Sequence, residues 1–237
     1  MNKTLLKQTI KENWVSLLIY TGVQMLLLFG IAGNAPISAT GLAYYNIFPS
    51  LLMAIYVITT GTKLIASKVD SGSMAYILST PNTRKKVAIT QAVYFISSLF
   101  IMFTLTALTH IIAAATSRFG IDGNGVFTII KLNYGLFFLG VLFSGITFFF
   151  SSLFNLSKHA TALGGGIVGA FILLPMVAMF NTDLSWLKYF TPSTFFNPTA
   201  LMGNGTAFIL NFIILLVIGA VAYVGGVFVF NQRDLPL

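Results

Sequence analysis

The chain has 237 residues, of which 57% are hydrophobic and only 8% charged, with a formal net charge of +8 and a mean hydropathy of +0.90. Charged residues supply about a quarter of an ordinary soluble domain, so soluble globular, disordered, coiled-coil and nucleic-acid-binding readings fail on composition, and the bilayer is the natural solvent. The lack of cysteine removes a disulfide framework and thiolate metal or redox chemistry.

A helix needs roughly 20 apolar residues to cross the hydrocarbon core. Charge-free windows of that length lie between Glu12 and Lys63, Lys86 and Arg118, Lys131 and Lys158, and Lys188 and Arg233, and 160–182 is also free of charge. Before the first window, at about 2–13, Lys3, Lys7 and Lys11 form one stripe at i, i+4, i+8, and Leu5, Leu6 and Ile10 occupy the adjoining flank. This pattern predicts an interfacial helix whose lysines reach anionic headgroups, the alternative being a disordered tail. The apolar run that follows exceeds the roughly 7–15 residues of a cleavable signal peptide. A cluster of Gly, Asn, Pro and Ser at 32–41 breaks the first window and predicts spans at about 14–33 and 43–65. Further spans are expected at about 87–116, 129–155 and 160–180, and, beyond Pro192, Pro198, Gly203 and Gly205, at about 207–230.

The expected fold is all-α integral membrane, a single domain over 1–237 with six transmembrane helices. An even number of spans puts both termini on one side. With that side cytoplasmic, Lys3, Lys7, Lys11, Lys63, Lys68, Arg84, Lys85, Lys86, Lys158 and Arg233 are inside, and only Arg118, Lys131 and Lys188 are outside.

No catalytic or metal-binding constellation is legible. His110 and His159 fall on different helices near opposite faces, without a zinc-binding pattern, and the acids Glu12, Asp70, Asp122, Asp183 and Asp234 are scattered. No carboxylate pair within a span suggests ion-coupled transport. His110 is either a proton-sensitive or substrate-contacting group or a plain interfacial histidine, and His159 reads as a solvated turn residue. Gly164-Gly165-Gly166 lacks the following lysine of a phosphate loop; Gly165 and Gly169 instead make a small-x-x-x-small spacing for close helix approach.

The stretch Lys63 to Lys86 predicts a short helix: Asp70 or Ser71 as cap, Met74, Ile77 and Leu78 as an apolar stripe, and Pro81 as the stop. Such a helix either lies on the membrane surface or docks into a partner's groove. Arg84, Lys85 and Lys86 then anchor the next span at the inner leaflet. Between the last two spans, 181–205 mixes Trp186, Tyr189, Phe190, Phe195 and Phe196 with prolines, as expected of an interfacial aromatic belt or of short outer helices.

Three segments resemble the ABC-2 type transporter permeases of bacteria. They are Asp70-Ser71-Gly72-Ser73-Met74 with Ile77-Leu78-Ser79-Thr80-Pro81-Asn82-Thr83-Arg84; Trp186 to Pro192 with Phe195-Phe196-Asn197-Pro198; and Phe230-Asn231-Gln232-Arg233-Asp234-Leu235-Pro236. Lys68 and Ala75 stand where many members carry acids. The resemblance implies a permease subunit in the bacterial cytoplasmic membrane, paired with a second copy or a related permease. It also implies a cytoplasmic ABC ATPase that binds the ATP and magnesium, this chain carrying no cofactor of its own. The 70–80 coupling helix would make the ATPase contact through Asp70, Ser71, Gly72, Ser73, Met74, Tyr76, Ile77 and Leu78. The N-terminal segment would be the family's connecting helix, and Phe195 and Phe196 would stand at an exit gate. The abundance of phenylalanine suggests an amphipathic peptide, drug or lipid as exported cargo. A non-transporting immunity or sensor protein that sequesters an antimicrobial is the competing expectation.

Overall fold

A computed structural model describes residues 2–80, 82–180, 182–203 and 205–234. Pro81, expected to stop the loop helix, Asn181 at the start of the outer segment, and Leu235 and Pro236 of the C-terminal motif lie outside these residues. The described residues form helices and connecting turns without a strand. That is what lipid requires, because a helix satisfies its backbone N–H and C=O groups within one segment.

Six helical segments are long and apolar enough to cross a membrane: Lys3–Ala32 (α1), Phe48–Asp70, Arg84–Thr116 (α6), Gly123–Leu153 (α7), Ser157–Ala178 and Phe208–Gln232 (α11). The second span comprises α3, Phe48–Leu64, and α4, Ala66–Asp70; the fifth comprises α8, Ser157–Ala160, a π-helical turn at Thr161–Gly165 and most of α9, Gly166–Phe180. Short helices lie between spans: α2 at Ile37–Ala43, α5 at Ser73–Ser79, and, ahead of α11, 3₁₀ turns at Thr182–Phe190 and Pro192–Phe195 followed by α10 at Pro198–Met202. The protein is an all-α, multi-pass membrane protein.

The N-terminal segment departs from expectation. It is not a separate interfacial helix at 2–13, because α1 runs unbroken for 30 residues from an Asn2 cap whose side chain accepts from the Thr4 and Leu5 amides. At 1.5 Å per residue α1 is about 45 Å long, some 15 Å more than the hydrocarbon core. Its extra turns stand against α6. Leu5, Thr9 and Asn13 are buried; Asn2 N donates to Thr90 Oγ1 at 3.0 Å and Thr9 Oγ1 to Gln91 Oε1 at 3.2 Å. Of the expected apolar flank, Leu5 is buried and Leu6 packs against the core, whereas Ile10 is exposed and the polar Thr9 and Asn13 join the inner face. Polar groups that find partners on α6 hold this face more firmly than an apolar flank holds lipid.

Two span boundaries also move, the first to a proline in the opening turn and the second to a side-chain cap. The turn at 32–41 is confined to its first part, α2 follows, and α3 begins only at Phe48, with Pro49 in its first turn. α7 starts at Gly123 rather than 129 because the Asp122 carboxylate accepts from Gly125 N at 2.7 Å.

The bundle is built around α7, whose most apolar window is 67% buried, against 22% for α1 and 28% each for the fifth span and α11. The α7–α11 seam is closed by glycines. A Cβ on Gly145 would lie 2.8 Å from the Gly219 carbonyl oxygen, one on Gly219 3.0 Å from that of Val141, and one on Gly226 2.8 Å from the Phe148 ring. The expected Gly165/Gly169 pair does not act as a unit within the chain: Gly165 abuts Ile58, whereas Gly169 faces open space.

Replacing Gly145 by Ala should therefore lower stability by about 1–3 kcal/mol through backbone displacement, whereas Gly169→Ala should be neutral or slightly stabilising. Thermal unfolding of the two variants in detergent measures the contrast; equal melting temperatures would show that the seam is not glycine-limited.

Candidate functional site

Both termini, the α4–α5 loop and the turn before α8 meet at one end of the bundle, the end that carries most of the lysines and arginines, here called the basic end. α5 begins at Gly72, whose φ of 71° lies in the left-handed region, where a side chain would be strained. Neither Asp70 nor Ser71 caps it. The Asp70 carboxylate instead accepts from Ser157, from its backbone N at 3.1 Å and from its hydroxyl, and so satisfies a free amide at the start of the fifth span. Lys68 also takes a structural role: its Nζ donates to Glu12 Oε2 at 2.7 Å with the lysine side chain only 10% exposed. An ion pair therefore does organise this loop, with the cation on the loop and the acid on α1.

The loop is thus tied to α1 on one side and to the fifth span on the other. The second tie is extended by the Thr62 and Thr161 hydroxyls, 3.0 Å apart, and Ala66 N donates to Ser151 Oγ of α7 at 2.9 Å.

The apolar stripe of α5 faces the opposite way from the one expected. Met74 is fully buried and belongs to the core, and Ile77 and Leu78 are half-buried against it. Burial removes Met74 from a partner's reach, whereas Ile77 and Leu78 stay partly accessible. The outward face consists of Ser71, Gly72, Ser73, Ser79 and above all Tyr76, which is 83% exposed.

The basic residues divide into two groups. Lys3, Lys7 and Lys11 are exposed on the α1 extension, and Lys85 and Lys86 are exposed at the base of α6. Arg84 is half-buried and its guanidinium donates to the Arg233 carbonyl at 2.8 Å, joining the base of α6 to the end of α11. His159 is exposed in the turn of α8.

At the opposite end, the outer segment encloses a cavity of about 530 Å³ bounded by the start of α3, α7, α9 and the 3₁₀ turns. Asn46, Ser50, Ser193, Thr194 and Asn197 line it with polar groups, Leu139, Ile172, Met176 and Phe196 with apolar ones, and Lys188 is its charged residue. Phe195 and Phe196 part company. Phe196 is buried over Gly135, where a Cβ would lie 2.9 Å from its ring, and it lines the cavity; Phe195 is half-buried against the core. Lys131 is drawn inside, its Nζ donating to the Gly203 carbonyl at 2.9 Å and lying 5.2 and 5.5 Å from the Phe127 and Phe208 ring centres.

His110 is neither interfacial nor solvated: it is fully buried in a polar cluster that joins the turn after α2 to α6 and α7. Asn133 Nδ2 donates to Ile129 O at 2.9 Å and to Tyr45 Oη at 2.7 Å, while its Oδ1 accepts from Thr106 Oγ1 at 3.0 Å. Because Tyr45 Oη accepts from Asn133, its own proton goes to His110 Nδ1, 2.8 Å away. That assigns the imidazole hydrogen to Nε2, which is buried without a partner. Burial also raises the pKa of Tyr45, and of Tyr44 beside it, so the hub hydroxyl stays a neutral donor. Nothing in the sequence pairs these residues, which lie 65 and 88 positions apart.

The family model described as ABC-2 family transporter protein matches residues 3–235, nearly the whole chain, and the protein belongs to that family. It is therefore a membrane component of an ABC transporter, and membership implies an ATPase partner. A search of curated proteins finds no match.

Two consequences can be measured. Lys68→Glu or Glu12→Lys alone should cost about 1 kcal/mol or more of stability, one partner being largely buried, and the double exchange should recover most of the loss; additive losses in thermal unfolding would show that the pair is not coupled. Tyr45→Phe leaves both Asn133 and His110 without their shared partner, and a loss of about 1–3 kcal/mol is expected for groups buried in this way.

Proposed function

We propose that the chain is the permease of an ATP-driven exporter in a bacterial cytoplasmic membrane, and that the α4–α5 loop receives the stroke of a separate ABC ATPase. The observation that carries this reading is the cross-tied loop. It lies at the basic end, which the retention of Lys and Arg assigns to the cytoplasm, and it presents Tyr76 outward. Its two ties, Lys68 to Glu12 and Asp70 to Ser157, lead to α1 and to the fifth span.

Those two spans are among the least buried within the chain. A displacement of the loop would pass through these ties to α1 and to the fifth span. Their exposed faces, including Leu18, Leu26 and Phe29 on α1, would meet lipid or a second copy, and pairing as a dimer follows the family. Rigid-body movement of packed elements is the ordinary way such an input travels. The ATPase would bind the nucleotide and its magnesium and would carry out the hydrolysis.

The outer cavity fits an amphipathic cargo, since polar and apolar groups both line it and Lys188 favours a neutral or anionic group. Lys3, Lys7, Lys11, Lys85 and Lys86 seat the basic end on anionic headgroups, and Phe196 shapes the exit side of the cavity.

The test is affinity purification of the tagged chain from its native membrane, with the retained proteins assayed for magnesium-dependent ATP hydrolysis. Tyr76→Ala should reduce the co-purified ATPase activity several-fold while leaving thermal unfolding unchanged. Met74→Ala should instead cost about 2–5 kcal/mol of stability through the cavity it leaves. If no ATPase accompanies the parent chain, the transporter reading fails and the immunity or sensor reading takes its place.

A further inference from the structure

Between α6 and α11, at the basic end, runs a groove of about 420 Å³ that none of the preceding features uses. One wall is the stripe Ile89, Ala92, Val93 and Ile96; the other includes Val224, Val227 and Phe228; Lys85 and Asn231 close its mouth. From Lys85 to Ile96 the helix rises about 16 Å at 1.5 Å per residue, which matches the half-thickness of a hydrocarbon core of about 30 Å. The groove therefore spans one leaflet, from headgroup level to the bilayer centre. It opens outward: Val224 and Phe228 are 69% and 61% exposed.

A second, independent observation lies at the same corner. Among the described residues, all three guanidinium nitrogens of Arg233, two residues beyond Asn231, are buried without a hydrogen-bond partner; the guanidinium carbon lies 5.6 Å from the Phe230 ring centre, and the Arg233 carbonyl is held by Arg84. Burial, together with the neighbouring Arg84 charge, lowers the Arg233 pKa to about 10. Arg84, Lys85, Lys86 and Arg233 gather at this corner, and Asp234, next to Arg233 in the chain, is exposed. An unpaired buried guanidinium is costly, and an anion is what it lacks.

We infer that the α6–α11 groove is a binding site for one anionic phospholipid of the leaflet at the basic end, with an acyl chain between the helices and the phosphate at Lys85, Asn231 and the Arg84–Arg233 corner. An apolar slot of leaflet depth and a cationic mouth are together the complement of such a lipid, and neither alone is. A zwitterionic lipid would offer the same chain but would bring its own cation to a mouth already rich in them. The site is independent of the cargo and of the ATPase, and would hold the lipid as a lasting part of the α6–α11 seam.

The test is native mass spectrometry of the full chain, delipidated in detergent and then supplied with dioleoyl phosphatidylglycerol or dioleoyl phosphatidylcholine. The parent should retain one phosphatidylglycerol in clear preference. Arg233→Gln and Lys85→Gln should each reduce that preference about five-fold, the effect of one cation at a membrane surface, with little change for phosphatidylcholine. Val227→Trp, which fills the groove and keeps every charge, should abolish retention; if it fails to fold, as judged by its melting profile, the milder Val224→Phe serves in its place. Equal retention of the two lipids by the parent would overturn the site, as would retention by a folded groove-filling variant. Displacement of the lipid by inorganic phosphate would reassign the corner to a free anion, and a disulfide between two copies carrying Val224→Cys would show that a second chain covers the groove. Either result also overturns the proposal.

Discussion

The approach of α7 to α11 is the constraint on which the bundle depends. In lipid, two apolar helices gain little by hiding from a solvent as apolar as themselves, so their association rests on van der Waals contact and on whatever polar bonds they can share. Gly145, Gly219 and Gly226 bring the two backbones within contact distance. At the same seam Tyr223 Oη donates to Ser144 Oγ at 2.7 Å. With α11 and α6 packed on it, α7 becomes the interior of the protein, and α1 and the fifth span are left at the periphery.

That division organises the polar chemistry. Hydroxyl and amide bonds such as Tyr56 to Ser98, at 2.7 Å, and the Tyr45–Asn133–His110 cluster fasten the central spans to one another. At the basic end α1 and the fifth span are also fastened to the α4–α5 loop, through Lys68 and Asp70. The loop is held on one side by the Lys68–Glu12 pair and on the other by the Asp70–Ser157 bonds and the Thr62–Thr161 contact. The outer cavity lies at the far end of the fifth span, so the same element touches both the α4–α5 loop and the cavity at the opposite end.

Much of this was legible in the primary structure. Apolar windows bounded by lysines and arginines mark the spans, because length and hydropathy are properties of a segment by itself. The loop helix is legible too, since Met74, Ile77 and Leu78 repeat at helical spacing. Which way that stripe points is not: a surface helix on lipid, a helix docked in a partner and a helix folded back on its own core show the same spacing. The α1 extension misleads for a related reason. The lysine stripe at 3, 7 and 11 suggests an in-plane helix, whereas the partners of Asn2 and Thr9 lie some 80 positions away on α6, and no local pattern announces them.

By itself, then, the sequence determined the class, the order of the spans, the segregation of charge to one end, and the family, all of which follow from local hydropathy, charge and short motifs. Only the tertiary structure decided what those residues touch. It turned Met74 inward and Tyr76 outward, made Lys68 the partner of Glu12, buried His110 in a hydrogen-bonded cluster, and left Arg233 without an anion beside an open apolar groove. The physical reason is that in a chain with so few charges each polar group must find its partner across the bundle, and contacts between spans far apart in sequence depend on packing, which no single segment encodes.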